Sequence, residues 1–71
     1  MNEKFKEAFE AYARHYEIYD NVPMMAAIMK ALRALPSPDE QISLLEQKKP
    51  IRSLATYLAA KNIDVSPIFA E

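Results

Sequence analysis

No glycine occurs anywhere in the 71 residues. Every chain reversal that needs a positive φ must therefore fall on Asn, Asp or an ordinary side chain, each of which meets a steric penalty glycine escapes. Glycine loops that cradle phosphates are excluded too, and with them a P-loop or dinucleotide-binding site. Proline supplies the punctuation instead: Pro23, Pro36, Pro38, Pro50 and Pro67 cut the chain into short segments whose apolar residues recur at helical spacing. The pattern predicts an all-α fold: a single helical domain over residues 1–71, a small compact bundle of four helices with about a turn of a fifth.

Asn2 is placed to cap a first helix running to about Tyr19, with Glu3 in its first turn. Phe5, Phe9, Tyr12, Tyr16 and Tyr19 fall on one face of that helix. Stacking platforms for nucleic acid interleave aromatic with basic residues, whereas this segment is acidic, so the stripe reads as core with tyrosine hydroxyls seeking partners at its rim. After the turn at Asp20-Asn21-Val22-Pro23, a second helix from Met24 to about Leu35 is apolar nearly all round, with only Lys30 and Arg33 clearly polar. Such a helix is either the centre of the bundle or part of an interface. The methionines among its apolar residues, Met24, Met25 and Met29, suit both, since flexible thioethers fill core gaps and adaptable contact surfaces alike.

Ser37 with Glu40 three positions on forms a capping-box pattern, and Pro38 stands where a missing N–H does no harm. The third helix continues through Ile42, Leu44 and Leu45 to about Gln47–Lys49, where Pro50 imposes a break. The fourth, from Pro50 or Ile51 to Lys61, turns Ile51, Leu54, Ala55 and Leu58 inward and Arg52, Ser53, Thr56, Tyr57 and Lys61 outward. Asn62 substitutes for a C-terminal glycine. Ile63-Asp64-Val65 is expected to be an extended link with two core plugs, and Ser66-Pro67 a new helix start.

Formal net charge is −1, but its distribution is uneven. Met1 to Asp20 carries Lys4, Lys6 and Arg14 against Glu3, Glu7, Glu10, Glu17 and Asp20. Leu45 to Ile63 carries Lys48, Lys49, Arg52 and Lys61 against Glu46 alone. A basic stretch of this kind marks either an ordinary solvated surface or a side that faces a polyanion. The longest mostly apolar run, Val22 to Leu35, is interrupted by Lys30 and Arg33 and is too short for a bilayer. The N-terminal carboxylates are unlike a secretory signal. The expected setting is cytoplasmic, without a membrane.

Leu45-Glu46 leading into Pro50-Ile51-Arg52-Ser53-Leu54-Ala55, then Leu58, then Val65-Ser66-Pro67, resembles the helix-turn-helix pattern of many transcriptional regulators, transposases and plasmid-maintenance proteins. The resemblance covers roughly the last thirty residues, and makes the C-terminal half of the bundle helix-turn-helix-like. It implies DNA binding in a regulatory or mobile-element (plasmid or phage) role, as a dimer, with Ala55 small where two helices cross. In that pattern the groove-facing helix starts at Ser66; alternatively it is the helix from Ile51 to Lys61. On the second alternative Arg52, Ser53, Thr56 and Tyr57 are the candidates for base or sugar contact, and Lys48, Lys49 and Lys61 for phosphates.

Catalytic chemistry is not indicated. His15 is the single histidine, Ala11 and Tyr19 four residues to either side offer no co-ligand, and there is no cysteine. Glu3, Glu7 and Glu10 alternate with Lys4 and Lys6 as a solvated face. Neither metal, cofactor nor small-molecule substrate is expected, and the chain reads as a non-enzyme. The alternative to DNA binding is a protein-binding adaptor or inhibitor that uses Met24, Met25 and Met29, as a homodimer or with another partner, or that sets the acidic first helix against a basic partner.

Overall fold

The computed structural model describes residues 2–70. Among them are four α-helices, α1 (Glu3–His15), α2 (Val22–Arg33), α3 (Pro38–Glu46) and α4 (Ile51–Ala60), followed by a 3-10 turn over Ser66–Phe69 and no strand. α1 and α3 start at the caps expected, Asn2 and Ser37, whereas α2 starts at Val22, two residues before the expected Met24, because Asn21 caps it. Asn2 Oδ1 accepts from the Lys4 and Phe5 amides at 2.8 and 3.3 Å, Asn21 Oδ1 accepts from Met24 at 3.1 Å, and Ser37 Oγ accepts from Glu40 at 3.3 Å. These bonds satisfy amides that the first turn of a helix leaves unpaired.

Helix ends are where the missing glycines tell. Glu17, Lys48 and Asn62 all adopt left-handed backbone, at φ 56, 52 and 66. Around Glu17 the Ile18 amide donates to the Ala13 carbonyl at 2.9 Å and the Glu17 amide to Arg14 at 3.2 Å. Around Asn62 the Ile63 amide donates to Leu58 at 3.1 Å and the Asn62 amide to Ala59 at 2.9 Å. Both are Schellman motifs, and each carries its apolar contact: Ile18 and Ile63 fold back over the core that Ala13 and Leu58 belong to. The Asn62 cap follows the sequence expectation. The Glu17 cap does not, and it stops α1 at His15 instead of Tyr19. The apolar anchor Ile18 gains more from turning inward than Tyr19 would from prolonging the stripe. Tyr19 is left 43% exposed, with the Arg14 guanidinium 4.5 Å from its ring centroid.

Phe5, Phe9 and Tyr12 of α1, Ile28, Leu32 and Leu35 from α2 and the residues after it, Leu44 and Leu45 of α3, and Leu54 and Leu58 of α4 form one buried cluster, which Ile68 closes. No polar residue is buried among the described residues. α1 lies along α3, and α2 carries the C-terminal turn. The backbone of α4 approaches its neighbours less closely and is joined through side chains. Ile63 and Val65 are half-buried plugs as expected. Val65 is not extended, however, with φ −108 and ψ 1. Asp64 Oδ1 accepts from the Ser66 amide at 3.0 Å and its hydroxyl at 2.8 Å, so the carboxylate before the turn, and not Ser66, organises it. That start leaves only Ile68 to Glu71 to fill it, and Glu71 lies outside the described residues.

A side chain bearing Cβ costs about 1–2 kcal/mol in left-handed backbone. Glu17→Gly and Lys48→Gly are each expected to stabilise the fold by roughly 0.5–1 kcal/mol after glycine's greater unfolded-state entropy is subtracted. Asn62→Gly should gain less, because Asn tolerates this region. Denaturant midpoints of the three variants check the ordering; a loss of stability in Glu17→Gly and Lys48→Gly would show that these side chains hold the fold in some other way.

Candidate functional site

The candidate site is the α3–α4 unit. A short connection, Gln47 to Pro50, joins the two helices, with left-handed Lys48 inside it. That turn is fixed from α1. Tyr12, fully buried, donates its hydroxyl to the Lys49 carbonyl at 2.7 Å, and Tyr16, one helical turn on, donates to the Lys48 carbonyl. Both carbonyls point in at α1, and both lysine residues are exposed. Lys48 leans toward α1, where it shares a shallow depression with Lys4, Glu7 and Glu46. Lys49 stands on the other side, at the end of a groove of about 380 Å³ between α3 and α4 that also holds Ser43, Gln47, Ser53 and Tyr57.

Pro50 precedes α4, gives no side-chain cap, and is followed by a first turn without an acidic residue. The opening amides of α4 thus have neither a capping oxygen nor a local carboxylate, beside Lys49 and the exposed Arg52 and Ser53. A helix start of this kind favours anions. Leu54, Ala55 and Leu58 are buried as the spacing predicts, and Arg52, Ser53, Thr56, Tyr57 and Lys61 all face outward.

These five, together with Lys48 and Lys49, divide into two groups. Thr56 donates its hydroxyl to the Arg52 carbonyl at 3.0 Å, a bond within its own helix. Tyr57 donates to Glu40 Oε2, and Lys61 Nζ lies 3.6 Å from the same oxygen and 5.5 Å from the Tyr57 ring centroid. Among the described residues, the side chains of Lys48, Lys49, Arg52 and Ser53 form no hydrogen bond or ion pair. Glu40 departs from the capping box expected of it. Its amide bonds Ser37, but its carboxylate reaches across to α4 instead of back to the Ser37 amide. The phenol and ammonium together offer more than one backbone N–H. The hydrogen bond from Tyr57, and next the charge of Lys61, lower the Glu40 carboxyl below its ordinary range; the same bond to Glu40 raises the Tyr57 phenol.

Glu40, Ser43 and Gln47 were not picked out by sequence as site residues. Their spacing of three and four along α3 was the available signal, since it puts all three on the face that borders the groove. The tyrosine bonds to Lys48 and Lys49 had no such signal, because they join positions 32 and 37 residues apart.

Met25 and Met29 line an apolar depression of about 270 Å³ between α1 and α2 with Phe9, Tyr19, Lys6 and Glu10. Met24 packs against the core and lines no such depression. The turn over Ser66–Phe69, the other candidate for a groove-facing helix, buries Ile68 against α2 and the core. Among the described residues no group of acidic or histidine side chains could hold a metal ion, and no helix is long and apolar enough to cross a membrane. No protein-family model, curated protein or solved structure matches the chain.

Burial and the neighbouring Tyr16 push the Tyr12 hydroxyl well above its ordinary value. A raised acid of this kind contributes stability that is complete below the unfolded tyrosine value of about 10 and is lost as pH rises beyond it. Tyr12→Phe is expected to cost about 1 kcal/mol at neutral pH, from the unpaired Lys49 carbonyl, and to lose less stability than the parent between neutral pH and about 11. Urea midpoints at the two pH values read both effects; an equal alkaline loss in the variant would place its origin elsewhere.

Carboxyl NMR titration tests the α3–α4 tie. The Glu40 carboxyl should titrate below the ordinary glutamate range in the parent and move up toward that range in Tyr57→Phe, with the Lys61 charge still holding part of the shift. The stability it lends is present above the unfolded glutamate value of about 4.3 and is lost as pH falls through the lower folded value. A Glu40 unmoved by Tyr57→Phe would mean that Lys61 alone holds it.

Proposed function

We propose that this chain is a non-enzymatic DNA-binding module of helix-turn-helix type, with α3 as the positioning helix and α4 as the helix that enters the major groove. One observation carries this: α4 presents an exposed polar row that begins at an uncapped helix start flanked by Lys49 and Arg52, directly after a short turn with a left-handed residue. Helix-turn-helix units join their helices through a turn of about three or four residues, often with glycine, and here Lys48 takes that conformation. A ten-residue helix is about 15 Å long and fits a groove about 12 Å wide.

Within this assignment Lys48, Lys49 and the α4 amides meet phosphates. Arg52 and Ser53, unpaired and in the first turn, meet base edges or sugar. Thr56 can do so once it gives up its bond to the Arg52 carbonyl. Tyr57 and Lys61 act less directly, by holding Glu40 so that its charge is compensated beside the groove. The regulatory or mobile-element maintenance role implied by the resemblance to helix-turn-helix proteins fits such a module.

Binding to a mixed-sequence duplex, followed by fluorescence anisotropy, is the test. The two lysine–phosphate contacts imply that affinity falls about 12-fold between 50 and 200 mM salt. Changing Lys48, Lys49 and Arg52 together to Glu should abolish measurable binding, and these side chains are exposed and unpaired, so helical circular dichroism should persist. Affinity unchanged in that variant would refute the assignment of the site.

A further inference from the structure

α2 is apolar on two sides. Met24, Ile28, Ala31 and Leu32 meet the core, and Val22, Met25, Ala26 and Met29, spaced i, i+3, i+4 and i+7, form a second stripe on which Val22 and Ala26 are exposed while Met25 and Met29 are half-buried against the edge of the core. Val22 is 65% exposed and Ala26 is exposed, and Met29 separates the α1–α2 depression from a more open one lined by Ala26, Lys30, Arg33 and Ala34. α1 borders this face at Met25 and Met29, and among the described residues Val22 and Ala26 remain uncovered.

Its ends are oppositely charged. Glu17 and Asp20 stand before the helix, and Lys30 and Arg33 stand in its last turn, all exposed. Among the described residues neither Asp20 nor Arg33 forms an ion pair. An antiparallel copy of the same face is complementary to it. With the two-fold axis at Ala26, Lys30 of one copy lies opposite Val22 of the other, and Arg33 lies opposite the Tyr19–Asp20 end. The smallest side chain stands on the axis, where two backbones must come closest, and the helix dipoles oppose. We propose that the chain forms an isologous dimer with a second copy through this outer face of α2, in antiparallel register, sealed at both ends by Asp20 and Arg33. This interface is separate from α4 and does not depend on DNA binding.

Light scattering and sedimentation over about 5 μM to 1 mM, the range suited to a small interface, should show the mass rising from the 8.1 kDa chain toward twice that value. A monomer throughout would overturn the proposal. Ala26→Glu puts like charges together on the axis and should weaken association at least about a hundred-fold while helical circular dichroism is kept, because the residue is exposed. A dimer that tolerates it would be formed by another face. Asp20→Arg and Arg33→Asp should each weaken association about tenfold, and the double exchange should restore it. A double variant no tighter than either single would overturn the antiparallel register.

Discussion

The bond from the Tyr12 hydroxyl to the Lys49 carbonyl is the contact on which the arrangement of the candidate site depends. Tyr12 is anchored by full burial in α1, so its hydroxyl is a fixed point, and the α3–α4 turn is drawn onto it. Tyr16 repeats the contact one residue earlier in the turn. A loop without glycine has to hold Lys48 in left-handed backbone against its own sterics, and two phenols on one helix face give it a reason to stay there. With the carbonyls taken inward, α4 sets out from Pro50 and turns its polar row to the outside.

The same economy of parts recurs elsewhere. With no buried polar residue among those described, specificity cannot come from an interior network and comes from the rim. Tyrosine hydroxyls reach backbone, Tyr57 and Lys61 meet Glu40, and Asp64 holds Ser66. A chain of 71 residues buries a limited share of its surface, so contacts at the edge of the core weigh more than they would in a larger domain. The outer stripe of α2 belongs to the same account: a small bundle of four helices cannot enclose a helix that is apolar on two sides.

Much of the fold was legible in local sequence. The caps at Asn2, Asn21 and Ser37, the reversal at Asn62 and the inward row of α4 each depend on residues within one or two turns of each other. The boundary of α1 was not, because Glu17 carries no mark of a helix end and Ile18 stops the helix only when there is a core for it to enter. In the candidate site, sequence placed Arg52, Ser53, Thr56, Tyr57 and Lys61 on one exposed face but could not separate Arg52 and Ser53 from Tyr57 and Lys61. That separation is made by Glu40 on another helix.

By itself, then, the sequence determined the all-α class, the order of helices and the inward face of each, since helical periodicity and capping are short-range properties. Tertiary structure alone decided that the last Ser-Pro start is a 3-10 turn pinned by Ile68, that Glu40 leaves its own cap for α4, and that Tyr12 and Tyr16 hold the turn before Pro50. Those outcomes join residues far apart in the chain, where apolar burial and the pairing of polar groups outweigh local preference.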